Sequence, residues 1–257
     1  MKIALIGAGN IATHLGKELQ KAGEEIVCVF SRTEESAKQL SSILKCRYIA
    51  DIKEVDNDAD LYISAIKDSA FYEIAPQLTK GRENSIFLHT AGSLKMDVWS
   101  GLAKRYGVIY PMQTFSKNKE VDFSKIPIFI EGNSPEVLNI VRSIAEKLTS
   151  KVYEASSQQR SYLHIAAVFA CNFTNHMYAL CDDILQKNGI PFDVMLPLIE
   201  ETAAKVHSLK PKDAQTGPAI RYDENVINHH ICMLEEDKDL QDLYQSISKS
   251  IYKLAQK

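Results

Sequence analysis

The sequence predicts an α/β chain, with a mainly parallel, doubly wound sheet in its first part and an all-helical part after it. Three observations carry this. Short β-branched runs alternate with amphipathic stretches up to about Lys151, a glycine-rich turn follows the first run, and strand signals vanish after Glu154. The expected strands are Ile3–Ile6, Ile26–Phe30, Arg47–Ile49, Leu61–Ala65, Ser85–His89, Val108–Tyr110 and Pro127–Ile130. Helices are expected over Ile11–Ala22, Glu34–Leu44, Lys95–Tyr106 and Pro135–Leu148. The last places Val137, Leu138, Val141, Ile144, Ala145 and Leu148 at helical spacing, with Ser134 as N-cap and Pro135 at the first helical position.

Beyond Glu154 the run from Ser157 to Gly189 reads as one long helix, because no Gly or Pro interrupts it before its end. Pro191 opens another towards Leu209, and two more start at Asp223 and Asp237. The segment Leu163–Met177 is apolar nearly all round, which predicts a buried helix. These patterns give two domains, an α/β domain over 1–154 and a helical domain over 155–257.

Composition excludes several classes. The 257 residues carry 30 Lys+Arg against 33 Asp+Glu, so no basic face of the kind that neutralises nucleic-acid phosphates is expected. No apolar run approaches the ~20 residues that span a bilayer, and Met1-Lys2 leads into a strand rather than a signal peptide. The five cysteines are odd in number and scattered, as expected of reduced, mostly buried thiols in a cytoplasmic protein. Neither H-E-x-x-H nor a Cys/His cluster at zinc spacing occurs, so no metal is expected.

The turn after the first strand is Gly7-Ala8-Gly9-Asn10-Ile11-Ala12, a G-x-G-x-x-A pattern opening a helix. Gly7 permits the tight turn, Gly9 lets backbone approach a pyrophosphate, and Ala12 lets helix and strand pack closely. A glycine turn could serve packing alone, but the strand-loop-helix context favours a phosphate cradle that includes Asn10 and Ile11. At the end of the second strand, Ser31 and Arg32 replace the carboxylate that would repel a 2′-phosphate, so NADP is favoured over NAD. Otherwise Arg32 is only a solvated residue before a helix.

Ligands of a doubly wound sheet lie beyond the C-terminal strand ends. Ala65 and Lys67 follow the fourth strand, His89-Thr90-Ala91-Gly92-Ser93 the fifth, and Tyr110-Pro111-Met112-Gln113 the sixth. Ala65, Lys67 and Thr90 are assigned to the cofactor, and His89, Gly92, Ser93 and Gln113 to the substrate. Singly, each segment could be an ordinary strand-to-helix turn. On the long helix, His164, Asn172, Asn175 and His176 share about a third of the circumference at roughly 100° per residue, a strip that faces either an internal network or a pocket.

These residues resemble known families. The N-terminal half is similar to the Rossmann domains of pyrroline-5-carboxylate reductase, prephenate dehydrogenase and deazaflavin-dependent NADP reductases, sharing the glycine loop, Ser31-Arg32-Thr33 and Tyr110-Pro111-Met112. The whole chain resembles the bacterial family that joins a Rossmann-like domain to a helical C-terminal domain of unknown function. That likeness rests on His89–Ser93, Pro111–Ser116, His164 with Asn172, and Thr216–Asp223 followed by His229, with Tyr110 where that family typically has His.

The resemblance implies an NADP-dependent oxidoreductase moving hydride between nicotinamide and a C=O or C=N carbon of a small anionic substrate. The proton donor would be His164 or His229, Asn172 would orient the substrate, and Arg221 would hold its anionic group. Asp223 is assigned to the substrate site, or else pairs with Arg221 or caps the next helix. The alternative is a non-catalytic NADP-binding sensor or interaction protein, since the long helix offers no lysine before its last turn. A homodimer through the helical half is also expected.

Overall fold

The computed structural model describes residues 1–257 and divides into two units, Met1–His176 and Met177–Lys257. The first unit begins β1 (Lys2–Ile6), α1 (Asn10–Lys21), β2 (Glu25–Phe30), α2 (Glu34–Leu44), β3 (Arg47–Ile49), β4 (Leu61–Ser64), α3 (Asp68–Thr79) and β5 (Ile86–His89). It continues with β6 (Arg105–Pro111), β7 (Ile128–Gly132), α4 (Pro135–Glu146), β8 (Val152–Glu154) and α5 (Ser157–Ala167). After a π-helical stretch, Val168–Phe173, follow α6 (Thr174–Lys187), α7 (Leu196–Lys205), α8 (Pro218–Arg221), α9 (Glu224–Met233) and α10 (Lys238–Ala255).

The eight strands form one sheet in the order β3-β2-β1-β4-β5-β6-β7-β8, parallel except where β7 runs against β6. Alternation along β1 feeds both faces. Ile3 and Leu5 join a cluster with Leu15, Val29 and Leu44, while Ala4 and Ile6 join one with Phe71, Phe87 and Trp99. The chain crosses over at β1/β4, so the loops after β1, β4 and β5 open on one sheet edge.

Several expectations fail for definable reasons. No helix spans Lys95–Tyr106: a short 3₁₀ turn, Met96–Trp99, leads into β6. Val98 and Trp99 mimic a helical pattern, but Trp99 is buried between Phe71 and Phe87, at 4.6 and 5.6 Å between ring centroids. Helix α3 carries Pro76 inside it, which masks its helical signal, and the three residues of β8 lie at the boundary where the helical half was expected to begin. The long helix is broken by the π-helical stretch, where Thr174 Oγ1 donates to the Phe169 carbonyl at 3.0 Å.

The segment Leu163–Met177 is exposed rather than buried, with Ile165, Phe169 and Phe173 each about half exposed or more. Apolar patterning reports that a face wants cover, not that its own chain supplies it. The thiols are free but not mostly buried, since Cys171 and Cys232 are exposed and Cys28 alone is fully enclosed. In the second unit, Asp223 and Asp237 cap α9 and α10 by accepting from the Val226 and Leu240 amides. No helix is long and apolar enough to cross a membrane.

Candidate cofactor and substrate site

The glycine loop sits between the ends of β2 and β4. The Gly7 amide donates to the Phe30 carbonyl at 2.7 Å. Gly7 adopts φ +116°, and a Cβ there would lie 2.4 Å from the Ala65 carbonyl oxygen, so no other residue fits. Gly9 caps α1 without a side-chain bond and faces open space, leaving the first amides of the helix for an anion.

Beside this loop lies a cavity of ≈370 Å³ bounded by Ser31, Arg32, Thr33, Lys67 and Lys117. Arg32 is exposed and makes one loose ion pair, 3.9 Å, with the equally exposed Glu73. A second cavity, ≈550 Å³, shares Gly9, Ala65, Ile66 and Lys67 with the first and extends along the sheet edge past Thr90, Gly92 and Tyr110 to His164. A third, ≈380 Å³, shares Tyr110, Gln113 and His164 with the second and reaches Asn172. An uncapped helix terminus, a glycine cradle and two joined cavities along one edge fit an extended dinucleotide with its reacting end near Tyr110.

Of the residues singled out in the sequence, Gly9, Asn10, Ile11, Ala65, Lys67, Thr90, Gly92, Ser93, Gln113 and His164 line the second cavity together. Gly7, Ser31 and Arg32 line the first, and Asn172 the third. His89 lines none of these cavities. It is 1% exposed, its Nδ1 accepts from the Ala91 amide at 3.2 Å, and its edge meets Phe71. Burial and then the charge of Arg160 push its pKa down to about 3, so the ring is a neutral strut. Arg221, Asp223 and His229 belong to the second unit. There Arg221 is exposed and Asp223 serves as a helix cap.

The structure also shows supports that the sequence did not signal. Asn10 Nδ2 donates to the Phe115 carbonyl at 2.7 Å, and His14 Nε2 meets the Ser116 carbonyl at 2.9 Å while stacking on Phe115. Helix α1 thereby holds the loop after β6 over the glycine turn. Arg160, 1% exposed, pairs with Glu131 of β7 and donates to the carbonyls of Ala91 and Leu94. Ser157 donates to the same carboxylate from its hydroxyl, at 2.8 Å, and from its amide, at 2.9 Å. This network ties α5 to the sheet and fixes the Ala91–Leu94 loop. Ser93 donates to the Asp68 carboxylate across the cavity.

Residues 2–91 match the family described as NADP oxidoreductase coenzyme F420-dependent, and residues 126–251 match the domain of unknown function DUF2520. A candidate NADP oxidoreductase from Bacteroides fragilis is 56% identical over 98% of both chains, with a TM-score of 0.95. The chain belongs to this DUF2520 oxidoreductase-like family. DUF2520 proteins share their fold more widely. Pyrroline-5-carboxylate reductase from Streptococcus pyogenes is 17% identical, with a TM-score of 0.65 over 99% of this chain and 98% of that one. An imine reductase from Myxococcus stipitatus, in complex with NADP+, is 14% identical, with a TM-score of 0.67 over 100% and 93%. No curated protein matches the chain.

Proposed function

We propose that this DUF2520 protein is an NADP-dependent oxidoreductase acting on a C=O or C=N carbon of a small anionic molecule. The observation that carries the reading is the joined pair of cavities running from Arg32, past the bare N-terminus of α1, to Tyr110 and His164. It is supported by the Bacteroides fragilis relative, described as a candidate NADP oxidoreductase, and by the NADP+ held by the imine reductase of the same fold. The nicotinamide, when bound, supplies the hydride. The Gly7–Gly9 backbone and the amides of α1 hold the pyrophosphate, and Ser31 and Arg32 take the 2′-phosphate. Thr90 lies against the cofactor, Ser93 and Gln113 orient the substrate, and the proton is supplied where Tyr110 and His164 meet.

Fluorescence titration with NADPH and NADH tests this. Arg32→Ala should weaken NADPH about 10-fold, the worth of one exposed charge-assisted contact, and leave NADH unchanged. Binding of neither cofactor by the wild type rejects the reading. Tight NADPH binding without turnover of any imine or 2-oxo acid selects the sensor instead.

The exposed residues Tyr162, Ile165, Phe169 and Phe173 share one helical face, and in this reading a second copy of the chain covers it. Light scattering at micromolar concentration should give a dimer that Phe169→Asp dissociates. A monomeric wild type contradicts it.

A further inference from the structure

Tyr110 and His164 form the wall between the second and third cavities. Tyr110 Oη lies 3.5 Å from His164 Nδ1, a separation that a bound substrate can tighten. The phenol, next to the last residue of β6, is 8% exposed, and burial holds it above the ordinary tyrosine range, so it keeps its proton at neutral pH. His164 is only partly buried and borders both cavities. Gly92 closes on the pair: a Cβ there would lie 2.8 Å from His164 Nδ1 and 2.9 Å from Tyr110 Cζ. The loop after β5 therefore presses its backbone against these two side chains.

The other acid–base groups at this end are already engaged or lie elsewhere. Asp68 accepts from Ser93, and His89 is enclosed beneath the cavity with its Nδ1 taken. Lys67 stands nearer the glycine loop, where it borders the first cavity as well. What remains is a protonated phenol backed by an imidazole that reaches solvent, a two-membered proton path.

We propose that Tyr110 is the catalytic residue that hands a proton to the substrate heteroatom, and that His164 returns one to it from water; this rests on the oxidoreductase reading. As hydride forms the new C–H bond, the π pair of the C=N or C=O group moves to nitrogen or oxygen, which takes the Oη proton. The tyrosinate takes the Nδ1 proton of His164 while Nε2 takes one from water, and proton exchange with water through the open cavity then restores the Nδ1–H form for the next turnover. Per turnover the substrate gains two electrons and a hydrogen from NADPH and one proton from solvent.

The test uses the full-length protein with NADPH and a panel of cyclic imines and 2-oxo acids. Tyr110→Phe should lower kcat about 100-fold or more with KM nearly unchanged, the usual worth of a positioned acid. His164→Ala should lose less, and imidazole in the buffer should restore part of it. Full kcat in Tyr110→Phe with loss in His164→Ala would overturn the proposal, since the imidazole would then be the direct donor. A second readout needs no substrate: the ¹⁵Nδ1 resonance of His164, followed with NADPH bound, should move in Tyr110→Phe and in Gly92→Ala. An unmoved resonance in both overturns the proposal. Failure of the wild type to bind NADPH is a different result and removes the oxidoreductase reading itself.

Discussion

At the Arg32 end of the site the wall is backbone and exposed cations, whereas at the Tyr110 end it is side chains held in place from beneath by buried charge. Gly7, Gly9 and Arg32 act from within the first two strand-turn-helix units, and their neighbours in sequence are their neighbours in space. Tyr110, Gly92 and His164 come from β6, the loop after β5, and α5, and they meet only because Arg160 and Glu131 pin the last two to the sheet. Binding a cofactor can be encoded locally, but placing a reacting group needs the whole first unit.

The largest test of that difference is Arg160→Ala. It leaves the Glu131 carboxylate unpaired and the Ala91 and Leu94 carbonyls without their donor, which should cost about 3–5 kcal/mol in chemical denaturation. Arg32→Ala should leave the denaturation midpoint within about 0.5 kcal/mol, as for most exposed positions. Replacing Arg160 and Glu131 together by Met and Leu should cost less than Arg160→Ala alone, because no charge is left stranded. Equal losses for Arg160→Ala and Arg32→Ala would erase the contrast.

This asymmetry also decides what the sequence could show. The glycine loop and the place of Ser31-Arg32 beside it were legible because each motif lies within a few residues of one turn, and the same is true of the helix starts at Asp223 and Asp237, although Asp223, assigned to the substrate, serves as a cap. Arg160 was not legible. It sits in the polar run Ser156–Ser161, which reads as a solvated helix start, and its burial follows from a partner 29 residues away on β7. Tyr110 was visible as a phenol after a strand, but its relation to His164 and Gly92 depends on three separate elements meeting. The exposed face of α5 differs for the opposite reason: its apolar pattern is strong, yet Ile165, Phe169 and Phe173 remain about half exposed or more.

A middle-sized effect distinguishes the ends by pH. His89 titrates near 6.5 when unfolded, while burial and Arg160 hold it at about 3 in the fold. Below pH 6.5 the unfolded chain therefore binds the extra proton, and stability falls by about 1.4 kcal/mol per unit until pH approaches 3. Between pH 7 and pH 5 this group alone should remove about 2 kcal/mol. His89→Gln should lose that share of the pH dependence, measured by urea denaturation at both values. An unchanged difference would mean that the ring is protonated or solvated in the fold.

The smallest effect concerns Lys117, which reaches the Arg32 cavity from the loop after β6. Its ammonium is exposed and flexible, so its pull on a phosphate is a screened point charge, worth less than about 1 kcal/mol. Lys117→Ala should weaken NADPH about threefold at low salt and hardly at all at 0.5 M, where the screening length falls to about 4 Å. The Arg32→Ala loss should persist at that salt, because a guanidinium bonding a phosphate at contact distance is less screened than a charge acting across the cavity. If the Lys117→Ala loss also persisted at high salt, the lysine would be making direct contact, and the loop after β6 would belong to the cofactor cradle as firmly as the glycine turn.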